Sequence, residues 1–272
     1  MLIILSDLHF ADTSPYTMGI SRSNLNLPGR VYRTFFREIA ELIKDGHVEH
    51  IDLVLAGDIF EITRSVMWHE DELRPYVHND EVGDGSPTEQ RILDILEAIE
   101  NDPKVEDTAA VFRGLSDLFG LPVNIHYFPG NHDRLANATS KIRQKVRQFF
   151  GIEANGAHFP NQYIHYRDGE ARLLVRHGHE YDSSNFGANL ALWQEIPLII
   201  DKSYYDMPVL GDIVTVEIAS KLPLLFRKRY GDEAILKDPS LKRMYQRLID
   251  FDNVRPNGAM MNFLFSTPGL KR

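Results

Sequence analysis

Three short apolar runs in this chain each stop at a cluster of cation-binding residue types, and that alternation constrains the fold more than any other feature. MLIIL (1–5) ends at Ser6-Asp7-Leu8-His9, IDLVLA (51–56) at Gly57-Asp58-Ile59-Phe60-Glu61, and VNIHYF (123–128) at Pro129-Gly130-Asn131-His132-Asp133. A continuous apolar run of this length suits a strand buried on both faces. Helical periodicity fills the intervals over 30–44, 88–100, 104–119 and 137–150, the second behind the capping-box pattern Ser86-Pro87-Thr88-Glu89. Strand, helix, strand, helix predicts an α/β architecture.

From residue 162 the texture changes. QYIHYR and ARLLVRH flank Asp168-Gly169, a hairpin signal, so a mixed sheet or two packed sheets is expected. Beyond Tyr181 the pattern is amphipathic and helical, broken by Pro197, Pro208, Pro223, Pro239 and Pro256, and reads as an appended helical region. Residues 61–85 hold seven acids against two bases and are expected to form an exposed loop or insertion.

Composition narrows the chemistry. At 272 residues, 43% hydrophobic and 25% charged, the chain is of ordinary globular type. No apolar run reaches the roughly 18 residues of a membrane span, and the short run after Met1 is too brief for a signal peptide, so a cytoplasmic protein is expected. With no cysteine, any metal must be held by His, Asp, Glu or Asn. Residues 1–179 carry 27 acids and 18 bases, whereas 180–272 carry 12 of each. An acidic half repels a polyanionic backbone, which disfavours nucleic acid as a partner.

Ligands of α/β proteins collect at the carboxyl ends of strands, so the clusters are read together with His177-Gly178-His179. In Asp7-x-His9, positions i and i+2 share a strand face and can chelate one ion. Asp58 follows a glycine that allows close approach and can bridge two ions through its two oxygens. Asn131 offers an amide oxygen and His177 an imidazole. This donor set suits a pair of first-row ions (Mn²⁺ foremost, or Fe, Zn²⁺ or Ni²⁺) about 3.5–4 Å apart, and imidazole argues against magnesium alone. Gly-Asn-His-Asp anchors the reading, because four such residues together arise by chance roughly once in a thousand chains of this size.

The series Asp7-x-His9, Gly57-Asp58-x-x-Glu61, Gly130-Asn131-His132-Asp133 and His177 resembles the calcineurin-like metallophosphoesterases. The resemblance covers residues 1 to about 182 and implies a four-layer α/β/β/α sandwich of two mixed sheets, with 183–272 as a helical insertion or cap. It further implies a binuclear centre in which Asp7 and His9 bind one ion, Asp58 bridges, and Asn131 and His177 bind the other. His132 becomes the catalytic histidine and Asp133 its partner, fixing its tautomer. The expected reaction is hydrolysis of a phosphoester or pyrophosphate by a metal-bridging hydroxide. Glu61 and His179 are read as groups that orient the ligands. Gly-His-Glu-Tyr-Asp after His177 looks like the branch of UDP-diacylglucosamine hydrolases, which points to a small or lipid-linked phosphate substrate.

One departure stands out. The family ends in Gly-His-x-His, but no histidine follows His179 here, although His179 shares a predicted strand face with His177 and can replace one ligand. The chain is therefore expected to stop short of the family's final strands. Two other readings stay open: a nuclease of the same superfamily, and a binding scaffold of this fold without catalysis. Residues 221–247 hold eight bases against three acids beside Leu222, Leu224, Leu225 and Phe226, a surface suited to peripheral membrane contact. Trp68 and Trp193 are expected in the core, and the histidines outside the clusters at the surface.

Overall fold

A computed structural model describes residues 1–12, 26–153 and 155–250. The apolar runs form strands where the sequence places them: β1 (Leu2–Leu5), β2 (Ile51–Ala56) and β3 (Val123–Phe128). They pair in parallel in the order β1-β2-β3, with Leu2 opposite Asp52 and Ile51 opposite Val123. β2 is central and every one of its six residues is buried. Parallel neighbours need crossovers, supplied by α1 (Gly29–Ile43) before β2 and by α2 (Pro87–Glu100), α3 (Pro103–Arg113) and α4 (Leu115–Phe119) before β3.

The helix starts follow from capping chemistry. Ser86 accepts the Glu89 N–H at 3.1 Å with Pro87 in the first turn, and Asp102 accepts the Lys104 N–H at 2.9 Å ahead of Pro103. The segment expected as one helix over 104–119 is two, divided at Gly114. Likewise Arg134–Asn137 is a 3₁₀ turn, and α5 (Ser140–Phe150) begins only after the Thr139 cap.

Alternation along the strands separates two cores. Ile51, Leu53 and Leu55 face the helices and pack with Phe36, Ile92, Phe112 and Phe150, all essentially inaccessible to solvent. Val54, Ala56 and Phe128 face the other way, against Val175 and Tyr163 of the hairpin β4 (Tyr163–Arg167) and β5 (Glu170–Val175). That hairpin is antiparallel, with a register shift at His165/Tyr166. Among the described residues neither sheet is mixed: one is wholly parallel and the other wholly antiparallel.

Residues 61–85 differ from the expected exposed loop. Trp68 is fully buried and donates its indole N–H to the Ile62 carbonyl at 2.8 Å, so this acidic segment packs into the core through its apolar residues. The helices after Tyr181 begin later than the pattern suggests. Residues 182–202 are irregular apart from a 3₁₀ turn at Leu190–Leu192, and α6 (Ser203–Asp206), α7 (Leu210–Val214), α8 (Lys221–Tyr230), α9 (Asp232–Lys237) and α10 (Pro239–Asp250) follow. A π-turn at Thr215–Ser220 joins α7 to α8. In α8, Phe226 turns inward onto Ile235, Tyr245 and Leu248, with Leu222 packed against them, which leaves Leu225 and Tyr230 exposed on either side of the basic triplet. No helix among the described residues is long and apolar enough to cross a membrane. The expected stop short of the final strands concerns 251–272, which lie outside the described residues.

Candidate metal centre

The polar clusters meet at the carboxyl end of the parallel sheet because the backbone there leaves its strand geometry. Asp7, His9 and Asp58 all have positive φ, 55°, 47° and 53°. Non-glycine residues hold this conformation at a cost of about 1–3 kcal/mol each, and such strain gathers at functional sites. The ladder continues past the strands in irregular form: Asp7 N–H donates to Gly57 O at 3.1 Å, His9 N–H to Asp58 O at 3.0 Å, and Phe10 N–H to Ile59 O at 2.8 Å. The β1 and β2 extensions thus hold Asp7, His9 and Asp58 side by side.

Two glycines make the closeness possible. A Cβ on Gly57, itself at φ 81°, would lie 2.6 Å from His177 Cγ, and one on Gly130 would lie 2.3 Å from Asp58 Oδ1. Neither position has room for a side chain.

Around Asp58 the side chains form two groups. Asp7, Asp58 and His177 offer ligand atoms within 4.8 Å of one another, and so do His9, Glu61 and His132. Buried Asp58 accepts the His132 backbone N–H on Oδ1 at 2.9 Å and faces His177 Nε2 with Oδ2 at 3.1 Å. His177 directs Nδ1 at the Ala56 carbonyl, 2.9 Å away. With Nδ1–H donated there, the Nε2 lone pair is the one turned toward Asp58, the tautomer a metal requires. His9 is arranged alike: Nδ1 bonds Glu61 and Nε2 faces Asp7 Oδ1 at 3.8 Å.

Titration reflects this packing. Burial works against charge on His132 and His177, yet Glu61 and Asp58 carboxylates hold both imidazoles up at about 9. His9 is raised to about 11, against its own desolvation, by Asp7 and Glu61. Desolvation likewise works to raise Asp58 and Glu61, and the surrounding imidazoles overcome it and hold both below the ordinary carboxylate range. Without an ion, protons on these rings supply the positive charge that the carboxylates need. A donor set of converging carboxylates and imidazoles, the rings giving up those protons when an ion binds, fits divalent first-row cations.

Two expected roles change. Asp133 does not fix the His132 tautomer. Fully buried, it accepts N–H groups of Gly130 (2.6 Å), Ile59 (2.9 Å), Asp58 (3.2 Å) and Phe60 (3.3 Å) and the Tyr127 hydroxyl (2.9 Å). Its carboxylate is therefore taken up in stitching the 129–133 loop to the 58–60 loop. Glu61 is the group beside His132 Nδ1, at 3.2 Å from Oε1 and 3.3 Å from Oε2. His179 does not share a strand face with His177, because β5 already ends at Val175 and, past Gly178 at φ 105°, His179 opens a 3₁₀ turn. Its ring packs among His177, Phe186 and Tyr205, and burial pushes its pKa down to about 4. Asn131 is half-buried between Gly130 and His132, both of which touch Asp58.

A model of the calcineurin-like phosphoesterases matches residues 1–208, which takes in every cluster just described. The chain belongs to that family. Metal-dependent phosphoester hydrolysis is accordingly its class of chemistry. No curated protein and no solved structure matches the chain.

Sequence reasoning missed what this family member does with Arg134, the residue after Gly-Asn-His-Asp. Its buried guanidinium bonds Asp212 Oδ2 (2.9 Å), Pro75 O (2.9 Å), Val77 O (2.9 Å) and Asn79 Oδ1 (2.9 Å). It thereby joins the metal-site loop, the acidic segment and α7. Only its place next to the motif was visible beforehand.

Proposed function

We propose that the chain hydrolyses a phosphoester or pyrophosphate bond of a small or lipid-linked phosphate compound, using two divalent ions, Mn²⁺ being the best match to the donors. Asp7 and His9 hold one ion, Asp58 bridges, and Asn131 and His177 hold the other. Residues 1–182 then form the catalytic core of a four-layer sandwich, with 183–272 as an insertion or cap. When bound, the ions activate water near neutral pH and neutralise phosphoryl oxygens.

The remaining work falls to side chains. Glu61 accepts from Nδ1 of His132, which leaves Nε2 to give a proton to the departing oxygen. The same carboxylate anchors His9, so one buried group orients both a ligand and the acid. Asp133 keeps the two loops in register. The observation that supports this reading most is that two groups of three potential ligands, Asp7, Asp58 and His177 on one side and His9, Glu61 and His132 on the other, each bring their ligand atoms within 4.8 Å of one another at the same sheet end.

The test pairs metal analysis with turnover of an aryl phosphomonoester and diester. Wild type is expected to retain Mn, Fe, Zn or Ni through dialysis and to turn over, with Asp58→Asn losing both. Undiminished turnover by chelator-stripped wild type would overturn the proposal.

A further inference from the structure

We propose that the chain carries a separate site for a divalent transition cation at the opposite end of the parallel sheet, formed by His50, Asp52 and His126. Asp52 is the second residue of β2 and Asp58 lies just past its end, so about 3.3 Å per residue puts this cluster roughly 20 Å from the candidate metal centre. Nothing in the phosphoesterase reading uses it.

The cluster is assembled by register. β2 and β3 pair Asp52 with Asn124 and Val54 with His126, which places all four side chains on the face opposite the helical core. His126 Nε2 lies 3.0 Å from Asp52 Oδ1, and His50 Nε2, from the loop before β2, lies 3.4 Å from Oδ2. Two imidazoles from different segments thus present the same nitrogen to the two oxygens of one carboxylate. An ordinary stabilising ion pair needs only one of them.

The surroundings orient the ligands. Asn124 Nδ2 donates to Asp52 Oδ1 at 3.2 Å and fixes the carboxylate plane. The His126 ring packs on Tyr163 with centroids 4.8 Å apart, and the Tyr163 hydroxyl lies 3.2 Å from His165 Nδ1. The Asn124 bond is the kind of supporting hydrogen bond that orients a ligating carboxylate. His50 is the adjustable member: its side chain is 52% exposed, whereas that of Asp52 is 11% exposed. Unlike the groups at the metal centre, the three ligand atoms do not all lie within 4.8 Å of one another, and rotation of the half-exposed His50 is the movement that closes the triad around an incoming cation. Two imidazoles with one carboxylate select Zn²⁺, Ni²⁺ or Cu²⁺ over Mg²⁺ and Ca²⁺.

Zinc is the probe. Metal-stripped full-length protein is titrated with Zn²⁺ and the bound metal counted after gel filtration. His50→Ala and His126→Ala are each expected to bind one equivalent fewer than wild type, while Asp58→Ala retains the equivalent that they lose. With Cu²⁺, nitrogen hyperfine structure from this site should vanish in His126→Ala. Turnover with Mn²⁺ should stay at the wild-type level in His50→Ala, a half-exposed position that folds readily. Equal zinc stoichiometry in wild type, His50→Ala and His126→Ala overturns the proposal, whether or not the protein proves to be a phosphoesterase.

Discussion

Glu61 is the residue whose chemistry the structure changes most. Its buried carboxylate stands between Nδ1 of His9 and Nδ1 of His132, so removing it should disturb ligand and acid together. On the proposed mechanism, His132→Ala by contrast deletes proton donation and leaves the proposed ligands in place. We expect it to lower kcat on an aryl phosphoester by roughly 10²–10⁴ with metal content kept. Glu61→Gln should cost about 10–100-fold in activity or metal affinity, as removal of ligand-orienting partners does elsewhere. Steady-state kinetics beside metal analysis separates the two, and a Glu61→Gln enzyme equal to wild type in both would refute the assignment. The same close packing makes glycine obligatory at 130. Gly130→Ala should displace Asp58 and reduce metal retention at least tenfold, measured by competition with a chelating dye, because its Cβ would stand 2.3 Å from Oδ1.

At the scale of elements, β1, β2 and β3 and the hairpin after 162 were legible in the sequence, since apolar runs bounded by polar turns have few other uses in a globular chain. Asp7, His9, Asp58, His132 and His177 could be found because strand ends bring them to one edge. Glu61's partnership with His132 could not, because it depends on a side chain crossing between loops. Asp133 illustrates the limit: adjacency in sequence to His132 suggested contact, whereas its backbone turns the carboxylate toward four amide groups and a phenol. Capping was legible too. Ser86→Ala should lower stability by about 1 kcal/mol in chemical denaturation, because Ser86 accepts the Glu89 N–H at the start of α2.

For the molecule as a whole, Arg134 and protonation tie parts to stability. Arg134 is buried against Asp212, and breaking a buried pair by removing one partner typically costs about 3–5 kcal/mol. Asp212→Ala should therefore lower Tm sharply, which calorimetry would show; a small shift would mean that α7 is not held through this contact. The imidazoles give the stripped protein a pH profile. His132 and His177 bind protons more tightly when folded, at about 9 against 6.5 for the ordinary group, so their stabilisation is complete below 6.5 and lost as pH rises through about 9. Asp58 and Glu61 are lowered instead, so their contribution is present above the ordinary values of 3.8 and 4.5 and lost on acidification. With chelator, Tm should fall from pH 6.5 to 9. With saturating Mn²⁺ the decline should flatten, because cations displace those protons and bind more tightly as pH rises.

The parallel pairing has a kinetic corollary. Leu2 meets Asp52 and Ile51 meets Val123 only after long stretches of chain have been brought back, and such non-local pairings form slowly. Asp7 and His9 arrive with β1, Asp58 with β2, Asn131 with β3 and His177 with the hairpin, so ions held as proposed would find their full set of ligands only when the last of these docks. Metal should accordingly leave the refolding rate nearly unchanged while slowing unfolding, acting as a clasp that closes only on the finished molecule.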